Sequence, residues 1–311
     1  MPSPPGIVVI LGTGGTIAGT AGSRNQNVGY KAAQLGVAEL VSAVPPLAGM
    51  ALETEQLAQL NSKDMDHATW QRLAQRAATL LARADVTGVV VTHGTDTLEE
   101  TAWFLQRVLA PAKPLVLTGA MRPATSMQPD GPQNLLDAVT VAREAGVRGV
   151  LAVLDGTVHG AADVRKSHPY RLSAFDSGDA GPLARIEEGR LRDLREWPTG
   201  VALGLARIAG PPAQWPWVEI VVSHAGACGA GVPALVAAGV EGLIVAGTGN
   251  GEMHIALEAA LADAAQGGVA IRLASRCAAG ALVGPFGWPT YGALGPFKSR
   301  VELLLELLDG R

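Results

Sequence analysis

At 311 residues the chain has room for two domains of ordinary size. With 48% hydrophobic and 17% charged residues it can bury a substantial core, which excludes a mostly disordered polypeptide. Its 24 Lys and Arg against 28 Asp and Glu give a net charge of −4, and no block of five or six basic residues occurs, so nucleic-acid binding has no electrostatic footprint.

No apolar run reaches the roughly 18 residues of a membrane span, and no positively charged stretch precedes the short apolar run in MPSPPGIVVILGTGG. The expectation is a cytoplasmic protein, or a periplasmic one if a leader has been removed, with neither nucleic-acid nor membrane partners. Cys228 and Cys277 lie too far apart for a paired-cysteine metal site and are expected to be buried thiols.

In chain order, short β-branched runs alternate with longer helical stretches. Ile7 to Leu11, Val86 to Thr92, Pro114 to Thr118 and Gly149 to Asp155 read as strands buried on both faces. Between the first two, Trp70, Leu73, Ala74, Ala77, Leu80, Leu81 and Ala84 recur at three- and four-residue spacing, which predicts a helix over Thr69 to Arg83 with Asp66 as its N-cap. Thr97-Leu98-Glu99-Glu100 reads as a capping box opening a second helix. The alternation predicts an α/β protein, with a mostly parallel, doubly wound sheet in a large N-terminal domain over residues 1–190. From Arg190 to Pro216 the pattern dissolves, and a linker is expected over 191–216. Residues 217–311 are expected to form a smaller α/β C-terminal domain, with strands at Val218 to Ser223, Gly242 to Ala246 and Val269 to Ser275. Its helices are predicted at Ile255 to Gln266 and Ser299 to Leu308.

In an open parallel sheet, ligands bind beyond the carboxyl ends of the strands. The turn after the first strand is Gly12-Thr13-Gly14-Gly15-Thr16-Ile17-Ala18-Gly19-Thr20, rich in bare amides and hydroxyls. It fails as a nucleotide fingerprint: Ile17 stands where a dinucleotide motif needs Gly, and Thr20 where a phosphate loop needs Lys. The second turn, Thr92-His93-Gly94-Thr95-Asp96-Thr97, precedes a helix N-terminus, which favours an anion or oxyanion; Asp96 reads equally as a cap. A Thr hydroxyl is a weak nucleophile and needs a base. The chain has five lysines against nineteen arginines, so a lysine stands out. Lys166 in Asp163-Val164-Arg165-Lys166-Ser167 follows a strand by one loop, and burial can lower a lysine pKa; the plain alternative is a solvated loop charge.

GTGGTIAGT at Gly12 to Thr20 and THGTDTLEETAWFL at Thr92 to Leu105 resemble the two signatures of the bacterial L-asparaginase and glutaminase-asparaginase family, in its type II-like form. The likeness continues through NSKDM at Asn61, TGAMRPATSMQPDGPQNLLDAV at Thr118, DVRKS at Asp163 and GTGNG at Gly247. The resemblance implies an amidohydrolase in which Thr16 attacks a side-chain amide and Tyr30 lies on a loop that closes over the substrate. It implies that Thr95 and Lys166 relay a proton, that Asp96 binds the α-amino group and that Ser62 holds the α-carboxylate. Gly15 and Gly94 join Ser62, Lys63 and Asp96 as substrate-binding candidates. No cofactor and no metal is implied, and the assembly expected is a homotetramer, a dimer of dimers.

Two departures stand out. Lys63 replaces a common Gln, and its ammonium either pairs with the substrate carboxylate or points to solvent. Family members commonly supply a Glu from the adjoining subunit, yet Arg276 to Tyr291 carries no acid. Hydrolysis of L-asparagine is the leading expectation. A glutaminase-asparaginase of broader specificity and a catalytically weak aspartate- or asparagine-binding protein are the alternatives. His93 is expected to be a hydrogen-bonded structural residue.

Overall fold

The computed structural model describes residues 6–310. The chain separates between Leu205 and Ala206 into two compact units.

In chain order the first unit runs β1 (Ile7–Gly14), α1 (Val37–Ser42), β2 (Leu52–Leu60), α2 (His67–Leu81), β3 (Val86–Thr92), α3 (Leu98–Leu109), β4 (Pro114–Thr118), α4 (Gly131–Arg143), β5 (Gly149–Leu154), β6 (Thr157–Gly160), β7 (Arg165–Lys166), β8 (Phe175–Asp176), β9 (Ala184–Glu187) and β10 (Arg190–Asp193). Eight of the strands form one sheet in the order β10-β9-β6-β5-β4-β3-β1-β2. Strands β2, β1, β3, β4 and β5 are parallel, and β6, β9 and β10 close the far edge antiparallel. Strands β7 and β8 pair separately as a short antiparallel ribbon.

Alternating residues of the strands feed two cores. Val8, Ile10, Val90, Val116 and Leu151 belong to the cluster that includes Leu40 and, from α4, Leu135, Ala138 and Val141. Their neighbours Val9, Leu11, Val89, Val91, Leu115 and Leu117 are equally buried. Helices α2 and α3 pack together through the stacked rings of Trp70 and Phe104, 4.8 Å apart. This is a doubly wound architecture. The chain passes from β1 to β2 on one side and then to β3 on the other. The carboxyl ends of β1 and β3 therefore flank the point where the winding reverses, the usual crevice of such sheets. Gly12 of β1 lies in register with Thr92 of β3, so the two threonine-bearing turns start side by side.

The second unit contains β11 (Val218–Val222), α5 (Gly231–Ala237), β12 (Gly242–Gly247), α6 (Ile255–Gln266), β13 (Ala270–Ser275) and α7 (Pro296–Leu307), with a parallel sheet in the order β11-β12-β13. Leu243, Val245, Leu257, Leu261 and Leu273 form its core.

Several expectations need correction. Residues 190–193 form β10, paired with β9, so a linker starting at 191 would begin inside a strand. Its charged residues suit a sheet edge, and Arg192 reaches Glu187 across the hairpin at 2.8 Å. The Thr97 hydroxyl caps nothing in α3, because it donates to the Ser62 carbonyl instead. Leu81 is only half-buried and Ala84 is exposed, as α2 ends at Leu81. Both cysteines are exposed. Cys228 lies in the turn before α5 and Cys277 just past β13, on loops and not on the buried face of an element. Among the described residues no helix is long and apolar enough to cross a membrane, and no group of three or more His, Cys, Asp or Glu is placed to hold a metal.

Candidate active site

Strand β1 ends in a register shift between Gly12 and Gly14. Gly14 and Gly15 then take φ values of 103° and 80°, a region costly for residues with a Cβ. The chain turns sharply into a short 3-10 turn, Thr16–Ala18. Gly15 is pressed against the second turn: a Cβ on it would lie 2.4 Å from the nitrogen and Cα of Gly94. Its own amide donates to the Leu60 carbonyl at 2.9 Å, so its contribution here is close backbone approach. Thr16 is buried, and its Oγ1 lies 2.5 Å from the Tyr30 hydroxyl.

A second cluster forms beyond β3. Lys166, at the end of β7, donates from Nζ to Thr95 Oγ1 at 2.8 Å and to Asp96 Oδ1 at 2.7 Å. The Lys166 amide donates to Glu99 Oε2 at 2.6 Å, which ties the ribbon to the first turn of α3. The Thr95 oxygen accepts from the lysine and keeps its own proton to direct elsewhere, while the nearby ammonium favours negative charge developing on that oxygen.

Ser62 occupies another short 3-10 turn, after β2, and is almost fully buried. Its Oγ accepts from the Asp96 amide at 3.2 Å, leaving the hydroxyl proton free to donate. The same Oγ would lie 2.4 Å from a Cβ on Gly94, so Gly15, Gly94 and Ser62 touch in sequence. Lys63 is not drawn in. Its ammonium holds both oxygens of Asp64 at 2.7 Å, and both side chains are more than half exposed.

His93 is fully buried beneath this surface. Its Nδ1 lies 2.6 Å from the Gly94 carbonyl, which can only accept, so Nδ1 carries the proton. Nε2 then accepts from the Thr101 hydroxyl at 3.0 Å, and Thr101 accepts in turn from Trp70 Nε1 at 2.8 Å. Burial lowers the imidazole pKa to about 4, against opposing contributions from the Gly94 carbonyl and Asp96. The ring is neutral at physiological pH. This buried relay fixes the Gly94 carbonyl, and because the peptide is planar the Thr95 amide points the opposite way.

Sequence reasoning passed over Glu99 as the anchor of Lys166 and Thr101 as the partner of His93. Glu99 stands inside the capping pattern of Thr97 to Glu100, whose acid is Glu100, and local sequence gives it no role of its own. Thr101 lies eight residues after His93, and only the α3 fold brings them together.

The doubly wound fold sets these two hydroxyl clusters side by side at the winding reversal, and together they define the site of a hydrolase of mixed α/β architecture. Residues 7–198 match the family description "Asparaginase, N-terminal", and residues 217–305 match "Glutaminase/Asparaginase C-terminal domain". The chain is similar to "L-asparaginase 2" of Escherichia coli, at 38% identity over 314 residues covering 96% of this chain and 88% of that protein. It is also similar to the "Glutaminase-asparaginase" of Pseudomonas fluorescens biotype A, at 35% identity over 311 residues covering 96% and 86%. A crystal structure titled "Probable Cytoplasmic L-asparaginase from Campylobacter jejuni" superposes with a TM-score of 0.92 at 34% identity, covering 98% of this chain and 95% of that one. The chain belongs to the asparaginase and glutaminase-asparaginase family, and is an amidohydrolase of that family.

Proposed function

We propose that the chain hydrolyses L-asparagine to L-aspartate and ammonia through an acyl-enzyme on Thr16. The observation that carries this reading is the pair of poised hydroxyls: Thr16 with Tyr30 at 2.5 Å, and Thr95 with Lys166 at 2.8 Å. The Thr16 oxygen forms a bond to the amide carbon, the carbon–nitrogen bond breaks, and the hydroxyl proton leaves with ammonia. Water then attacks the ester, its hydroxide joins the acyl carbon and its proton restores Thr16. Tyr30 and the Thr95–Lys166 pair carry the protons. The Ser62 hydroxyl donates to the α-carboxylate, and Asp96 faces the α-ammonium.

Residues 276–291 carry no acid, so in this reading Asp96 holds the ammonium without a second carboxylate from that stretch. Lys63, occupied by Asp64, leaves carboxylate recognition to Ser62. The homotetramer and the cytoplasmic location belong to the same reading; the name of the Campylobacter jejuni relative supports the location. The assignment of the chemistry to the N-terminal domain also belongs to this reading.

Ammonia release from asparagine and from glutamine, at equal concentration, by the wild type and Thr16→Ala tests the proposal. The expected result is faster release from asparagine, with Thr16→Ala lower by several orders of magnitude. Wild-type release by Thr16→Ala would overturn it, and faster release from glutamine would reassign the substrate.

A further inference from the structure

Tyr30 reaches Thr16 from the end of a loop whose neck is closed by Thr20 and Lys31, which exchange both backbone hydrogen bonds at 2.8 and 2.9 Å. The residues between them form a compact loop with exposed Gly22, Ser23, Arg24 and Asn25 at its rim. Inside it, the Gln26 amide donates to the Ser23 carbonyl and Gln26 Nε2 to the Gly29 carbonyl. Such a segment buries little, and its closed geometry depends on a few outside bonds.

Apart from Tyr30's bond to Thr16, the outside hydrogen bonds described for this loop end on one distant segment. The Ala21 amide donates to Thr125 Oγ1 at 2.8 Å. Ser126 Oγ donates to Asn27 Oδ1 at 2.8 Å, and the Met127 amide donates to the Arg24 carbonyl at 2.9 Å. At the neck, the Ala124 amide donates to the Gly19 carbonyl at 3.0 Å. Ser126 is nearly fully buried.

The seat is itself rigid. Asp130 accepts from the amides of Met121 at 2.8 Å and Arg122 at 2.9 Å. Asn134 of α4 donates to Asp130 at 3.2 Å and to the Gly119 carbonyl at 2.9 Å. The seat thus hangs from the end of β4 and the start of α4, two elements of the sheet core, while the loop it grips carries Tyr30.

We infer that Ser126 and Thr125 are a latch for the Tyr30 loop: through Asn27 and Ala21 they hold the loop in the closed position in which the phenol meets Thr16. They are positioning residues. This role in turnover rests on the amidohydrolase reading; the latch itself does not.

Hydrogen exchange of the ligand-free protein tests the latch, and ammonia release from asparagine tests its use. Ser126→Ala and Asn27→Leu are each expected to speed exchange over residues 20–31 while leaving the sheet unchanged. Combining them should add little, because both remove the same bond. Asn27→Asp, which keeps the acceptor, should restore protection. Thr125→Val, which removes the separate Ala21 bond, should speed exchange independently. Each loosened variant should lose about two- to tenfold in kcat/KM, the range of one hydrogen bond. Unchanged loop exchange in Ser126→Ala and Asn27→Leu would overturn the latch. Faster exchange with unaltered kcat/KM would overturn its role in placing Tyr30. A wild type that releases no ammonia would sink the amidohydrolase reading, and loop exchange alone would then decide whether the latch exists.

Discussion

The backbones of Gly15 and Gly94 lie in contact at the ends of two strands, and neither position has space for a methyl group. This contact brings the Thr16 turn against the Thr95 turn. Gly15→Ala would combine an unfavourable φ of 80° with a collision on Gly94, and Gly94→Ala would collide with Ser62 Oγ. A displacement of about 1 Å in a catalytic constellation costs on the order of a hundredfold in rate. Both variants are expected to lose at least that much ammonia release. Gly49 is the control: its φ is 81° and no atom lies within 4 Å of its added Cβ. Gly49→Ala should lose only about 1–2 kcal/mol of stability and keep full activity. An activity loss in Gly49→Ala equal to that in Gly15→Ala would show that backbone strain, and not the contact, matters at Gly15.

Lys166 pairs with Thr95 across 71 positions, and its own amide is pinned by Glu99. Lys166→Met removes the group that polarises the Thr95 oxygen and should lower kcat by about 10²- to 10⁴-fold, the range for a lost proton-transfer partner. Lys166→Arg should not rescue it, because a planar guanidinium cannot reproduce the point contact to both Thr95 Oγ1 and Asp96 Oδ1. Single-turnover kinetics of both variants check this, and wild-type turnover in Lys166→Arg would show that only charge is needed.

The apolar runs of β3 and β4 matched their strands end for end, because strands buried on both faces leave an uninterrupted signal. Asp66 was legible as a cap, and its carboxylate accepts from the Thr69 amide at 2.7 Å. Strand β2, LETEQLAQL, was not read, since an edge strand alternating polar residues resembles a helix or loop. The antiparallel β9–β10 edge was hidden by its charges. Thr97 matched a local capping pattern, but a tertiary partner, Ser62, took its hydroxyl. The turns of the site were legible as unusual loops after strands. Lys166 was legible as a candidate base, its pairing with Thr95 only through the resemblance. Glu99 and Ser126 were not legible as partners, because only the fold brings them to these segments, and Ser126 sits in a motif that was recognised without a role.

His93 gives the molecule an acid-sensitive element. In the unfolded chain it titrates near 6.5, while burial in the fold lowers its pKa to about 4. Between these values the unfolded state binds the proton first. Stability is therefore complete above pH 6.5 and falls as pH drops toward 4, by up to about 3 kcal/mol from this residue. Asp96 is the charged group facing it, and it opposes the shift. Urea midpoints at pH 7 and 4.5 should fall less for His93→Gln, which can still donate to Gly94 and accept from Thr101 but does not titrate. Identical pH slopes in the two proteins would remove His93 as the cause.

Thr92 and Thr118 are register partners on β3 and β4, both buried, and they differ in one respect. Thr118 Oγ1 donates to the Val153 carbonyl at 2.8 Å and lies 3.3 Å from that of Asn134, whereas Thr92 Oγ1 has no hydrogen-bond partner among the described residues. Valine has the same shape as threonine without the hydroxyl. Thr118→Val loses a satisfied bond and should cost about 1 kcal/mol, a fall in Tm of about 2–4 °C. Thr92→Val removes an unpaired polar atom from an apolar layer and should leave Tm unchanged or raise it. Thermal unfolding of the two variants side by side decides the point: an equal loss at both positions would mean that Thr92 is hydrogen-bonded in solution, for which a buried water is the available partner.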